Sequence, residues 1–213
     1  MKYENEVKEL LIHNAIHLIA KGGFEKATVK ELTTCGGTLP GFKMNDVYIY
    51  RIFGSKENLY EAAFARLDSE LFYTFRRAFK IANSYSCRGA MDLKGSMIKF
   101  FELAWDFLMN DEERCRCYVR FYYSIYFKGH VAEAHKELFS GILSEIAHAF
   151  KEEADVVSIT HSVFITMFDF AIRVYNGYLI ADELNRSHIF NVLYCMTASY
   201  LKNELQTSQE EMQ

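Results

Sequence analysis

The sequence has few helix breakers and no long apolar run, and each shortage excludes a class of structure. Pro40 is the only proline in 213 residues, which favours a chain that is almost wholly helical, because proline breaks helix interiors. No apolar run approaches the roughly 18 residues that cross a bilayer. Residues 1–11 lack the apolar region of a secretory signal. We therefore expect a cytoplasmic helical protein without a leader or a membrane span.

Positive charge is also scarce. The chain carries 24 Lys and Arg against 28 Asp and Glu, a formal net charge of -4, which is unusual for a dedicated nucleic-acid binder. Residues 1–60 are the less acidic part, with eight Lys and Arg against seven Asp and Glu. The five cysteines are odd in number and scattered, which indicates reduced thiols and not a disulfide framework.

Aromatic and aliphatic residues are plentiful. Half of the residues are hydrophobic, and 18 Phe and 14 Tyr stand against one Trp, so we expect a large aromatic core. Helical spacing of the apolar residues predicts an all-α protein of nine helices. They fall at residues 4–21, 28–35, 45–53, from 55 to a break at 84–88, and near 89–109, 111–127, 131–153, 156–181 and 186–205.

Capping residues mark the first helices. Gly22 and Gly23 follow the first one, as glycine does at a helix C-terminus, and Phe24 is expected to turn back into the core. Thr28 is a predicted N-cap with Glu31 three residues on, and Asn45 and Ser55 are the predicted N-caps of the next two helices. Two short helices separated by glycines, within residues 28–64, are the plan of a helix-turn-helix.

Three stretches in this order carry a family resemblance: AKGGF at 20–24, TVKEL at 28–32 and YRIFGSKENL at 50–59. With them, the N-terminus resembles the TetR/AcrR family of bacterial transcriptional regulators. The resemblance implies a three-helix DNA-binding head at residues 1–58 and a ligand-binding and dimerisation domain at 59–206. Residues 207–213 are expected to form a disordered tail.

The resemblance also implies function. Members are most often repressors that a small effector releases from a double-stranded, usually palindromic operator. The second motif helix, residues 45–53, would enter the major groove, and Lys56 would contact phosphate at a helix N-terminus. The expected DNA-binding residues are Thr28, Lys30, Lys43, Asn45, Tyr48, Tyr50, Arg51 and Lys56.

One stretch departs from the family pattern. Residues 38–43, which include Pro40, lengthen the turn between the two motif helices. A longer surface loop costs little closure entropy, so the fold tolerates it, but it can alter how the second helix meets DNA. The alternative is therefore a helical ligand-binding or scaffolding protein with a degenerate head that no longer reads DNA.

The C-terminal part is rich in aromatic residues, and the resemblance implies an effector pocket between its helices for an apolar or aromatic molecule. Pockets are mostly apolar with a few placed polar groups. The candidates are Trp105, Arg120, Tyr123, His161, Phe164, Phe168, Asp169 and Arg173. Ordinary core packing is the alternative for the aromatic residues, and an Arg120–Asp169 ion pair is the alternative for those two.

Residues 156–180 are apolar almost all round, so we expect this helix to be covered on every side. With the last helix it would form a four-helix interface across residues 156–205 of a two-fold homodimer, in agreement with what the resemblance implies. The expected interface residues of the last helix are Ile189, Phe190, Leu193, Met196, Tyr200 and Leu201.

Enzyme and metal patterns are incomplete. Glu145 and His148 have the E-x-x-H spacing of di-iron bundles without a second such pair. His13 and His17 lack a third ligand, and the Cys115/Cys117 pair lacks a second pair. No phosphate loop or nucleophile elbow occurs, so we expect no enzyme, metal or cofactor.

Overall fold

A computed structural model describes residues 2–35, 44–87 and 92–202. Within them the chain forms nine helices and no strand, so the all-α prediction is confirmed. The helices are α1 Lys2–Gly22, α2 Val29–Thr34, α3 Val47–Phe53, α4 Lys56–Cys87, α5 Leu93–Asn110, α6 Glu112–Tyr122, α7 His130–Ala147, α8 Val156–Tyr175 and α9 Glu183–Ala198.

The first of two compact units comprises residues 1–71 and 111–135. It holds α1 to α3, the first part of α4, α6 and the start of α7. Its fully buried residues include Leu11, Ile19, Leu32, Ile49 and Phe64. As expected, Phe24 turns back into this unit, where its ring centroid lies 5.2 Å from that of Tyr60, 5.9 Å from that of Phe121 and 4.7 Å from that of Tyr126.

The second unit comprises residues 72–110 and 136–213, with α5, α8, α9 and the remaining parts of α4 and α7. Phe75 is fully buried and stacks on Phe164 with 4.7 Å between ring centroids. Phe101, Met167 and Leu193 are buried with it. Each unit therefore has an apolar core of its own, with aromatic rings at its centre.

Four helices end earlier than their periodicity predicts: α6 at Tyr122, α7 at Ala147, α8 at Tyr175 and α9 at Ala198. α7 and α9 end there because the residues after them pair with each other. Phe150 and Leu201 form an isolated antiparallel β-bridge, in which the Lys151 N–H donates to the Tyr200 carbonyl at 2.9 Å. In contrast, α4 continues to Cys87, through most of the break predicted at 84–88.

The boundary between a DNA-binding head and a ligand-binding domain after residue 58 stays a prediction, and the two compact units divide the chain at other positions. α6 belongs to the same unit as the predicted head, and the division within α4 comes after Leu71. The lengthened turn at 38–43, with Lys43, and the tail at 207–213 lie outside the described residues.

The predicted dimer interface needs correction in the last helix. Ile189, Phe190, Leu193 and Leu201 are between 0% and 5% exposed within a single chain, so they pack inside the protomer and are unavailable to a partner. Tyr200 is 44% exposed. Within the single chain α8 buries one face, formed by Val163, Met167, Phe168 and Ala171, so the cover of its other faces by a partner stays a prediction.

By length and composition α8 is apolar enough to cross a membrane, with 22% of its most apolar window buried. The expectation that no segment reaches this limit is therefore wrong. A single helix of this kind is a weak indication of a membrane span, because core helices of soluble proteins meet the same criterion.

Candidate functional site

The short helix α2 is held in place at both ends. The Thr28 hydroxyl accepts a hydrogen bond from the Glu31 N–H at 3.2 Å, which confirms the predicted N-cap. Near the other end, the buried Asn14 side chain of α1 donates to the Leu32 carbonyl at 2.9 Å. Thr28 and Lys30 are exposed, so both remain accessible on the surface of the head.

The second short helix, α3, begins later than predicted. Its N-cap is Asp46, whose side chain makes no capping hydrogen bond, so the prediction of Asn45 as the cap is wrong. Asn45 is exposed just before the helix, and its carbonyl accepts from the Tyr48 N–H at 3.2 Å. Ile49 is fully buried and attaches α3 to the core, as the resemblance implies.

Val47, Tyr50 and Arg51 form what we call the outward face of α3. Val47 is 59% exposed, Tyr50 is 53% exposed, and the Arg51 side chain is 53% exposed. Tyr48 is half-buried at the edge of this face. A surface of this kind, with a guanidinium beside an apolar and a phenolic side chain, is chemically suited to base edges and phosphates in DNA.

The junction between α3 and α4 contains a lysine, Lys56, which follows the outward face of α3 closely in the sequence. Gly54 ends α3 with φ of 79°, and the Ser55 hydroxyl accepts from the Asn58 N–H at 3.0 Å, which confirms Ser55 as a cap. Lys56 lies in the first turn of α4, with its ammonium nitrogen 5.6 Å from the Tyr60 ring centroid. A helix N-terminus with a lysine in its first turn favours an anion such as phosphate.

Arg51 has two neighbours that orient it. Its guanidinium carbon lies 4.6 Å from the centroid of the Tyr48 ring, within the range of a cation–π contact. Its Nε lies 3.9 Å from the Glu4 carboxylate of α1. The sequence reasoning missed both Glu4 and Val47. Val47 was detectable, because it precedes Arg51 by one helical turn, whereas nothing local connects Glu4 with Arg51.

The predicted pocket residues fall into two groups. Arg120 and Tyr123 lie in the first unit, and the other six lie in the second. Arg120 donates to the Ile19 carbonyl at 2.8 Å and so closes the end of α1, and Tyr123 is 65% exposed. Asp169 pairs with Arg173 at 2.7 Å, so each member of the alternative Arg120–Asp169 ion pair has a partner within its own unit.

In the second unit the aromatic and polar candidates occupy different surroundings. Trp105 and Phe168 are each 6% exposed, and Trp105 packs edge-on against Phe190. His161, Asp169 and Arg173 are exposed on α8. Trp105 and Phe168 are therefore buried within the unit and Phe164 is half-buried, while the polar candidates lie on the surface of the helix.

A buried polar cluster in the first unit was not predicted. Asp68 is 4% exposed; it accepts from the Tyr118 hydroxyl at 3.0 Å, and its Oδ1 lies 2.9 Å from the His135 Nδ1. Burial, and next the Asp68 carboxylate, raise the pKa of Tyr118 well above its ordinary value. This cluster joins α4, α6 and α7 within the unit.

The histidine, glutamate and cysteine patterns take part in ordinary contacts. His17 lies 2.8 Å from Glu113, and Glu145 lies 3.5 Å from Arg76. Burial raises the pKa values of both the Cys115 and Cys117 thiols to about 12. No cluster of three potential metal ligands occurs in the described part of the chain.

Comparison with solved structures identifies the fold. A TetR-family transcription regulator from Marinobacter aquaeolei VT8 superposes with a TM-score of 0.71 at 13% identity, over 92% of this chain and 98% of that one. The fatty acid degradation regulator FadR from Bacillus halodurans does so with a TM-score of 0.57 at 16% identity, over 87% and 96%. No protein-family model and no curated protein matches the sequence. The chain has the fold of TetR-family regulators.

Proposed function

We propose that the chain is a DNA-binding transcription regulator whose α3 enters the major groove of an operator. The observation that carries this proposal is the outward face of α3. Its three residues are exposed on a helix that Ile49 attaches to the core, between a capped α2 and the first turn of α4. The likeness to TetR-family regulators supports the same assignment.

The DNA contacts divide by chemistry. Arg51, with Tyr48 beside it, is suited to base edges, because a guanidinium carries paired donors. Other exposed or half-exposed donors, near helix N-termini or on the outward face, are suited to phosphates. They are Thr28, Lys30, Tyr50 and Lys56. Asn45, just before α3, and Lys43, outside the described residues, complete the proposed set.

A homodimer would supply two such heads for a palindromic operator. Support comes from the apolar side chains that α8, α9 and the segment between them leave in solvent. Val157 is 60% exposed, Tyr178 80%, Ile180 73% and Leu184 79%. We propose that these side chains, and not the buried ones of α9, line an interface within residues 156–205.

Regulation by a small apolar or aromatic effector is the second part of the proposal. The second unit supplies an aromatic interior around Phe75, Trp105 and Phe164. An effector that releases the protein from DNA must bind more tightly to the conformation that does not fit the operator. The protein would then act as a cytoplasmic repressor that the effector inactivates.

Selection of genomic DNA fragments by the purified protein tests the DNA contacts. We expect the wild-type chain to enrich a sequence, and the double variant Tyr50→Ala, Lys56→Ala to bind it about tenfold or more weakly, with a smaller salt dependence. The matched control is Tyr73→Ala, Lys80→Ala, which removes the same two residue types from exposed positions on α4. The control should bind as the wild type does.

Two outcomes would contradict the proposal. If the wild-type chain enriches no sequence at low salt, the head does not read DNA, and the alternative of a helical ligand-binding or scaffolding protein is favoured. If the double variant and its control bind equally well, the DNA-contacting surface is not the one formed by α3 and the start of α4.

A further inference from the structure

Arg51 is held by its two neighbours in a way that a simple phosphate contact does not require. Tyr48 supports the guanidinium from one side at 4.6 Å. Glu4, from α1, faces the Nε edge at 3.9 Å. One contact comes from α3 itself and the other from α1, and together they restrict a side chain that otherwise samples many rotamers.

The stability that these contacts provide is small. The Arg51 and Glu4 side chains are 53% and 50% exposed, and ion pairs this exposed contribute little to folding. The main consequence of the pair is therefore geometric. It restricts the guanidinium before any DNA arrives, so that less conformational entropy is lost on binding.

The atom that Glu4 contacts determines which donors of the guanidinium remain available to DNA. Nε is the donor nearest the aliphatic stem, and the two terminal nitrogens form the outer fork of the guanidinium. Glu4 is the one described residue that makes an ion pair with Arg51, and the contact is at Nε. Guanine offers two acceptors, O6 and N7, in the major groove, and an arginine fork is the side-chain group that most often binds them in pairs.

The charge of Glu4 has a second effect. A carboxylate beside the reading helix repels DNA phosphates of any sequence, and it competes with a phosphate for Arg51. Penalising the wrong partner in this way raises the ratio of specific to non-specific binding. It also gives a physical role to an acidic residue on a head whose balance of charge is close to neutral.

We infer that Arg51 reads a guanine in each half of the operator, and that Glu4 is a positioning residue that sets this preference without touching DNA. The inference rests on the proposed function, because it requires α3 to enter the major groove. It adds the base that α3 selects and a residue of α1 that controls the selection.

The test is a selection from a library of randomised DNA, followed by affinity measurements on the selected site and on its single-base variants. The wild-type chain should prefer guanine at one position of each half-site by about tenfold or more. Arg51→Ala removes the guanidinium and all of its donors, so the preference should fall to nearly none.

Glu4→Gln is the decisive variant, and Glu6→Gln is its matched control, since it removes the same charge from the same helix two residues away. Both should bind unrelated DNA more tightly, because each removes a negative charge. Only Glu4→Gln should weaken the guanine preference, by several-fold. Circular dichroism of each variant checks that the fold is kept.

Three results would overturn the inference. An Arg51→Ala protein that keeps the guanine preference would show that another residue reads the base. Equal behaviour of Glu4→Gln and Glu6→Gln would show that Glu4 acts through charge alone. A wild-type protein that selects no sequence would overturn the proposed function as well, whereas the first two results leave that function standing.

Discussion

Individual polar residues attach α2 to the rest of the first unit. The Asn14 amide donates to the Leu32 carbonyl within α2, and the Tyr60 hydroxyl donates to the Ala27 carbonyl just before it. Asn14 and Tyr60 are both fully buried. An unpaired backbone carbonyl in such a place costs more than an ordinary hydrogen bond is worth, so these two residues fix the position of the helix.

Replacing Asn14 by alanine should therefore destabilise the protein by about 1–3 kcal/mol, because the buried Leu32 carbonyl loses its partner. Denaturant unfolding followed by circular dichroism measures the change. Asn5→Ala makes the same replacement at an exposed position of α1 and should change the free energy of unfolding by less than about 0.5 kcal/mol. Equal effects of the two variants would refute the role given to Asn14.

Residue roles were predictable from the sequence where the partner is near in the chain. Thr28 and Ser55 cap their helices by bonds to the third residue on, and a capping signal needs only that spacing. Asp68 and His135 are 67 positions apart, and only the packing of α4 against α7 brings them together. No pattern in the sequence contains that pairing.

At the scale of elements, α3 depends on its neighbours. It has seven residues, too few for an isolated helix to persist in water. Its buried contact is Ile49, and its end is set by Gly54, whose φ of 79° is one that side chains with a Cβ rarely adopt. The Asn58 side chain then donates to the Phe53 carbonyl at 2.7 Å, which links the end of α3 to the start of α4.

Gly54→Ala should cost about 1–2 kcal/mol, because the left-handed backbone is unfavourable for alanine. Space is not the limit, since the added Cβ would lie 3.6 Å from the nearest atom, Asn58 Nδ2. Gly141→Ala is the control of opposite sign: it lies in the middle of α7 with no atom within 4 Å of the added Cβ, and it should stabilise by about 0.5–1 kcal/mol.

Thermal and denaturant unfolding of both variants check this pair. If Gly54→Ala proved as harmless as Gly141→Ala, the junction between α3 and α4 would not require a positive φ.

Helix existence was easier to predict than helix ends. The periodicity of apolar residues was sufficient for all nine helices, but it also placed residues 123–127, 148–153, 176–181 and 199–202 inside helices. Two of these stretches, 148–153 and 199–202, pair with each other. The bridge between Phe150 and Leu201 takes up backbone groups there, and this pairing joins segments that are distant in the sequence. The cap of α3 was misplaced because Asn45 and Asp46 are both good capping residues.

At the scale of the whole molecule, the chain has the same fold as a TetR-family regulator with which it shares 13% sequence identity. The motifs at 20–24, 28–32 and 50–59 were sufficient to predict it, because they specify the caps, the glycine turn and the buried positions of the head. The candidate effector residues stay a prediction. An aromatic helix face has the same pattern whether it lines a pocket or fills a core, and the polar candidates on α8 face solvent.

Dimerisation is a property of the whole molecule, and two surface substitutions test it. Val157 and Leu184 are 60% and 79% exposed in the single chain, at the beginnings of α8 and α9. Aspartate in a first turn is compatible with the helix dipole, so Val157→Asp with Leu184→Asp should leave the fold intact. In an apolar interface the same carboxylates would be desolvated and would repel their copies, which costs several kcal/mol.

We therefore expect sedimentation velocity to give a dimer for the wild-type chain and a monomer for this double variant at the same concentration. Tyr73→Asp, at an apolar side chain that is 66% exposed on α4, is the control and should remain dimeric. A wild-type monomer would remove the geometric basis for reading a palindrome. A double variant that stays dimeric would show that the chains associate through a different surface, because no apolar interface at these positions would tolerate four added charges.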